Sequence, residues 1–319
     1  MKSIQVESGE MRCVMGKKQH EQTEYIMSDK TQSQMGIKAV DIEKHIFQLE
    51  DNKFVKIYSM REILKTEERK LKFYEVLSKI TTNRVRITWF CKNSDKKFTL
   101  YMFMTVFYEA NNFADADEKA KTFENSFKKY MPNSICIRLN EEKWSKVLSY
   151  MSMNANGKIQ ELNAEEYLGK KSNWHELLEV KRNYKCYVAR NYPNEEAPIV
   201  SLLENCTGEI CFCTDFQFMT DEDNRLLDLT ISNKYNTKLD LPQKKVVNVS
   251  SLWLVSGEDK EEQVQIENMI EDFFYENGIL LYSGKKQQQT IFDSINSLGL
   301  SDFCAMENVE PNTFRSLLL

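Results

Sequence analysis

The stretch Gly278–Lys286, Gly-Ile-Leu-Leu-Tyr-Ser-Gly-Lys-Lys, comes nearest to a phosphate-binding loop. Such a loop needs four residues between its glycines, then Lys followed by Ser or Thr, so that backbone N–H groups cradle the phosphates and the hydroxyl holds magnesium. Here five residues intervene, and Lys286 stands where the hydroxyl belongs. Ile279–Tyr282 reads instead as a strand. Gly169-Lys170-Lys171-Ser172 lacks the upstream glycine altogether. Cys206, Cys211 and Cys213 are the densest thiol group, but a structural zinc site takes four ligands, and no second pair of Cys or His lies nearby. Alternation along a strand makes Cys211 and Cys213 small apolar residues on one face, opposite Ile210, Phe212, Phe216 and Phe218. His20, His45 and His175 are far apart, and none has the spacing that puts two imidazoles on one helix face. They are expected at the surface or at element boundaries. Carboxylates gather in runs such as Asp221-Glu222-Asp223 and Glu258-Asp259-Lys260-Glu261-Glu262, where negative charge stabilises a helix N-terminus. No catalytic, cofactor-binding or metal-binding residue is assigned, and no cofactor is implied.

The elements around these residues follow from periodicity. His45–Leu49 and Phe54–Tyr58 flank the polar tetrad 50–53, which predicts a hairpin. Phe73, Val76, Leu77 and Ile80 predict a helix over 67–80. Val85, Ile87, Trp89 and Cys91 alternate with Arg84, Arg86 and Thr88, which predicts a strand with one apolar and one polar face. Phe98–Tyr108 is apolar on both faces and reads as a central, covered strand. Asp115, Asp117 and Glu118 lead a helix carrying Ala120, Phe123 and Phe127. Further strands are expected at 134–139, 184–190, 209–218, 246–255 and 279–282. Further helices are expected from Trp144 to Met151 and at 197–204, 221–233, 261–275 and 287–296.

The expected fold class is α+β, in two lobes, each with helices packed on a mixed or antiparallel sheet. Residues 1–35 are polar without a sustained period and read as a flexible leader. The first lobe spans 36–160 and the second 176–319, with the polar stretch 152–173 marking the boundary. No internal sequence repeat is evident, and whether the two lobes share an order of elements is left open.

The chain of 319 residues is 41% hydrophobic, enough for a sizeable core, and its formal charge of −5 leaves no nucleic-acid footprint. Its eight cysteines are scattered and read as reduced thiols, which places the protein in the cytoplasm. The longest uncharged apolar stretch, Leu100–Tyr108, is far short of a membrane span, so any association with the membrane runs through partners.

Taken in order, Tyr184–Pro193 (YKCYVARNYP), Ile199–Leu203, Glu209–Phe218 with its terminal Phe-Gln-Phe, and Asp221–Leu229 resemble the N-terminal, non-motor region of the CagE/TrbE/VirB family of type IV secretion and conjugation ATPases. The helix Ile266–Gly278, the strand Leu280–Tyr282 and the Gln287-Gln288-Gln289 helix with Phe292, Ser294 and Leu298 are similar to that region's closing elements. Gly36–Ile57 resembles the opening hairpin of the Gram-positive members. The resemblance implies a structural or docking component of a conjugation machine that lacks the motor. It also implies protein partners at the inner face of the membrane and no ATP hydrolysis by this chain alone. The alternative is a stand-alone regulatory or binding protein of a mobile element. In the family this region leads into a motor, which makes Phe314, Leu317, Leu318 and Leu319 the expected docking residues.

Overall fold

The computed structural model describes residues 6–7, 10–15, 23–27, 37–41, 44–49, 52–60, 67–81, 83–94, 97–132, 134–136, 139, 183–190, 199–218, 247–257, 259–283, 291, 294–295 and 307–309. Three short strands open the chain, β1 (Val6–Glu7), β2 (Glu10–Met15) and β3 (Thr23–Met27), and pair antiparallel in their own sheet. They lie within the segment read as a leader. The register pairs Met11 with Met27 and Cys13 with Tyr25, so a two-residue alternation operates where no sustained period was found.

The remaining strands are β4 (Ile37–Asp41), β5 (Ile46–Leu49), β6 (Lys53–Met60), β7 (Val85–Ser94), β8 (Lys97–Glu109), β9 (Ile135–Cys136), β10 (Asn183–Arg190), β11 (Gly208–Phe218), β12 (Val247–Gly257), β13 (Leu280–Tyr282) and β14 (Glu307–Val309). The helices are α1 (Glu67–Ile80), α2 (Phe113–Tyr130), α3 (Ile199–Asn205) and α4 (Lys260–Glu276). All eleven strands form one antiparallel sheet, ordered β13-β10-β12-β11-β7-β8-β6-β5-β4, with β14 on β12 and β9 on β6. The class is α+β with an antiparallel sheet, as the periodicities predict.

Two units with the same element order are legible in that sheet. The run β6-α1-β7-β8-α2-β9 has sheet order β9-β6-β8-β7, because Ser59 pairs with Phe103 on one edge and Cys136 on the other. The run β10-α3-β11-β12-α4-β13 has order β13-β10-β12-β11. Each is a split β-α-β motif of the ferredoxin-like type. The equivalent edge strands β7 and β11 then pair antiparallel, Gly208 opposite Asn93 through Phe216 opposite Val85. A pseudo-two-fold axis at this seam therefore relates one unit to the other. The predicted lobes share one sheet, and the predicted boundary at 152–173 lies outside the described residues, as do the helices predicted at 144–151 and 221–233.

One face of the sheet carries the helices. Alternation sends Trp89, Met104, Tyr58, Phe212, Trp253 and Tyr187 to that side, where Phe73, Leu77, Phe123, Phe127, Leu203, Ile266, Ile270 and Phe274 meet them in one core. The register sets Phe212 between Trp89 and Trp253, and the rings stack at 5.6 Å and 4.0 Å between centroids. Phe274 of α4 meets the Trp253 ring edge-on at 4.9 Å. This aromatic row runs across the seam and joins the two units on the helix side.

Equivalent helices start in equivalent ways. Asn112 caps α2, its side-chain oxygen accepting from the Ala114 and Asp115 N–H groups, and Asp259 caps α4, accepting from the Glu262 N–H at 2.8 Å. Asp259, Glu261 and Glu262 of the carboxylate run thus serve their helix N-terminus. Asp259→Ala is expected to lower stability by about 1 kcal/mol, measured by urea denaturation. Gly208, at φ 76, turns the chain from α3 into β11, and a Cβ there would lie 2.7 Å from the Ser256 carbonyl oxygen. Gly208→Ala is expected to cost at least about 1–2 kcal/mol, the left-handed penalty alone, with the contact adding to it.

Candidate functional site

The polar face of β7 meets the polar face of β11 on the side of the sheet away from the four helices. Arg86 and Asp215 stand directly opposite each other in the register, and both are buried. The Arg86 guanidinium donates from Nε to Asp215 Oδ1 at 2.8 Å and from Nη2 to Oδ2 at 2.5 Å. Its Nη1 donates to the Ser294 carbonyl at 2.8 Å. Arg84, partly exposed, donates from Nε to the same Oδ1 at 2.9 Å and brings its Nη2 within 2.8 Å. Thr88 and Cys213 sit one step along each strand, with the thiol 3.6 Å from the Thr88 hydroxyl.

Burial alone would push the Asp215 carboxyl up, but the charges of Arg84 and Arg86 and their hydrogen bonds outweigh it and hold its pKa below the usual carboxylate value. Burial would likewise lower the Arg86 guanidinium, and Asp215 raises it above its ordinary value. The fork-to-fork geometry uses both carboxylate oxygens with Nε and Nη2, and Nη1 is taken by the Ser294 carbonyl. A carboxylate so held stays ionised and is a weak base near neutral pH. The chemistry of this cluster is clamping: it fixes the register of β7 against β11 at the seam and ties both to the segment containing Ser294.

Two further polar clusters sit on the helix side. Lys56 Nζ lies 2.7 Å from Glu124 Oε1, both nearly inaccessible, beside Tyr58 and Tyr108, whose hydroxyls are 3.3 Å apart. This pair pins α2 to β6. Lys185 Nζ reaches Glu271 at 2.8 Å and Glu267 at 2.9 Å, and the Tyr187 hydroxyl donates to Glu271 at 2.8 Å. Those bonds, the Lys185 one foremost, hold the Glu271 carboxyl below its ordinary value and tie α4 to β10.

The residues that the sequence singled out are dispersed. Gly278 ends α4 at φ 70, Ile279 is buried and Leu280–Tyr282 is a strand, so this part of the near-match to a phosphate loop is turn and strand. Cys211 and Cys213 share the face of Arg86, whereas Cys206 lies in the helix-side core, which splits the thiol group between two sides of the sheet. Among the described residues no three His, Cys, Asp or Glu side chains gather as a metal would require. His45, expected at the surface or an element boundary, is at a boundary but buried, at φ 57 in the turn before β5. Gly169–Ser172, His20, His175 and the docking residues Phe314, Leu317, Leu318 and Leu319 lie outside the described residues, although Glu307–Val309, earlier in that tail, pairs with β12.

Sequence reasoning placed Arg84 and Arg86 on the polar face of β7 and missed their partner. The signal was present: Asp215 is the single charge within the apolar run Ile210–Phe218, just as Arg86 interrupts Val85–Ile87. A charge set within a covered strand needs a counter-ion, but the residues alone do not name the strand that supplies it. No family model matches the chain, and no curated protein matches it.

Proposed function

We propose that the chain is a non-catalytic structural and docking component of a bacterial conjugation (type IV secretion) machine, similar to the N-terminal, non-motor region of its ATPase. The observation that carries this reading is the run β10-α3-β11 followed by β12-α4-β13, which closes into one split β-α-β unit. Its strand, short helix and strand, and its later helix and strand, follow the order quoted for the family, while the acidic helix expected at Asp221–Leu229 lies outside the described residues. The seam supports a structural role, because the buried charges of Arg86 and Asp215 are spent on each other and on the Ser294 carbonyl. No helix among the described residues is long and apolar enough to cross a membrane, which fits docking through protein partners at its inner face.

The test is made in the bacterium that encodes the chain. Deleting the gene is expected to abolish conjugative transfer, and in-cell cross-linking through a tagged copy is expected to capture inner-membrane channel proteins. Transfer at the wild-type frequency without the gene would overturn the proposal. So would ATP hydrolysis by the purified chain that is lost in Lys285→Ala.

A further inference from the structure

The two units share more than an order of elements. Burial is what their equivalent positions keep in general, and one set keeps its residues as well. Lys56 and Tyr58 of β6 match Lys185 and Tyr187 of β10. Tyr58 pairs with Met104 where Tyr187 pairs with Trp253, and each first strand meets its unit's last strand one residue further on, at Ser59 and at Val188. Glu124 and Glu271 each stand twelve residues past the cap of their helix. The contacts match too. Lys56 Nζ lies 2.7 Å from Glu124 and Lys185 Nζ 2.8 Å from Glu271. The lysines lie over their tyrosine rings at 5.8 Å and 5.1 Å, and each tyrosine hydroxyl is hydrogen-bonded to its glutamate. Many residue sets can pin a helix to a strand, so the same three at the same places point to one unit copied in tandem.

The equivalence extends to the seam. Met104 pairs with Ile87 and Trp253 with Phe212, so Ile87 corresponds to Phe212, Thr88 to Cys213, Arg86 to Cys211 and Phe90 to Asp215. Thr88 and Cys213 face each other, which puts the pseudo-two-fold axis through that pair. Arg86–Asp215 lies on one side of the axis and its counterpart, Phe90–Cys211, on the other. A unit that met its own kind through this edge would do so about the same axis. Two copies of β7 would then set Arg86 opposite Phe90, and two copies of β11 would set Asp215 opposite Cys211. All four side chains are buried in the seam. Like-with-like pairing therefore strands a buried charge, which disfavours it by on the order of a hundredfold or more for each charge.

We propose that the seam is a subunit interface made internal by duplication, and that Arg86 and Asp215 are the residues that make each unit pair with the unlike unit. The backbone ladder is common to both edges and cannot tell β7 from β11. A buried ion pair adds little stability over apolar residues of the same size, so what it contributes here is the choice of partner and of register. The inference stands on register, burial and the repeated Lys-Tyr-Glu set, and does not depend on a role in conjugation.

The complete chain tests it, with a protease recognition sequence placed at the predicted boundary 152–173, so that after cutting both halves are present and untethered. Cys213 Sγ lies 3.6 Å from the Thr88 hydroxyl, so Thr88→Cys sets two thiols against each other across the axis. The cut chain is unfolded in urea, refolded and oxidised with diamide, and its disulfides are mapped by mass spectrometry. Unlike pairing links position 88 to Cys213, whereas like pairing links 88 to 88 or Cys213 to Cys213. With Arg86 and Asp215 in place, the unlike link is expected to exceed the like links by about a hundredfold. Arg86→Met with Asp215→Leu strands no charge in any pairing and is expected to bring the links close to random proportions. If that variant does not refold, Arg86→Gln with Asp215→Asn is the neutral pair used in its place. Like links in quantity while both charges are present overturn the proposal. So does a neutral pair that keeps the full preference for the unlike link.

Discussion

Asp215→Asn is expected to lower the stability of the chain by about 3–5 kcal/mol, because it leaves Arg86 charged, buried and without a counter-ion. Urea denaturation measures this directly. The pair as a whole contributes far less than that figure, since burying two ions is itself costly. Replacing both, Arg86→Met with Asp215→Leu, is therefore expected to cost much less than either single change, and a double variant as unstable as Asp215→Asn would refute the clamp. The same carboxylate gives a pH signature. Its native pKa is depressed, so its contribution is fully present above the unfolded value of about 3.9 and is lost as pH falls through the lower native value. Wild-type stability should decline steeply in that acid window. Asp215→Asn should lack that component of the decline.

Trp253→Ala is expected to cost about 3–5 kcal/mol, from lost burial and the cavity left behind. Trp253 is fully buried, stacks on Phe212, meets Phe274 edge-on and donates from its indole N–H to the Ser251 hydroxyl at 2.9 Å. Removing it breaks the aromatic row at its centre and loosens α4 from the sheet. Trp253→Phe keeps most of the stacking and should cost well under half as much. Equal losses for the two, measured by the same denaturation, would show that the row is not held by ring packing.

Much of the fold was legible because each strand and helix announces its own period. Phe73, Val76, Leu77 and Ile80 give α1 its predicted bounds, and the alternation of Val85, Ile87, Trp89 and Cys91 gives β7 its correct faces. Pairing was not legible. Nothing local says that β7 must lie beside β11, more than a hundred residues away, because a strand edge carries only backbone groups common to all residues. The duplication was hidden for the same reason. Equivalent positions preserve burial and not identity, so that Trp89 faces Phe212 across the seam and Asn112 caps where Asp259 does. The Arg86–Asp215 clamp needed both facts together, a charge set within the apolar run of each strand and the knowledge that the strands touch.

The seam also decides how this protein would carry a mechanical load. Two domains joined by a linker yield one after the other when pulled. Here the joint is nine register pairs of an unbroken sheet, from Asn93–Gly208 to Val85–Phe216, with an ion pair near one end. Tension along the strands would shear all of these at once, whereas tension across them would unzip them singly. The chain is therefore stiff in one direction and brittle in the other, and a single-molecule pulling experiment with handles placed along or across the strands should find two very different rupture forces.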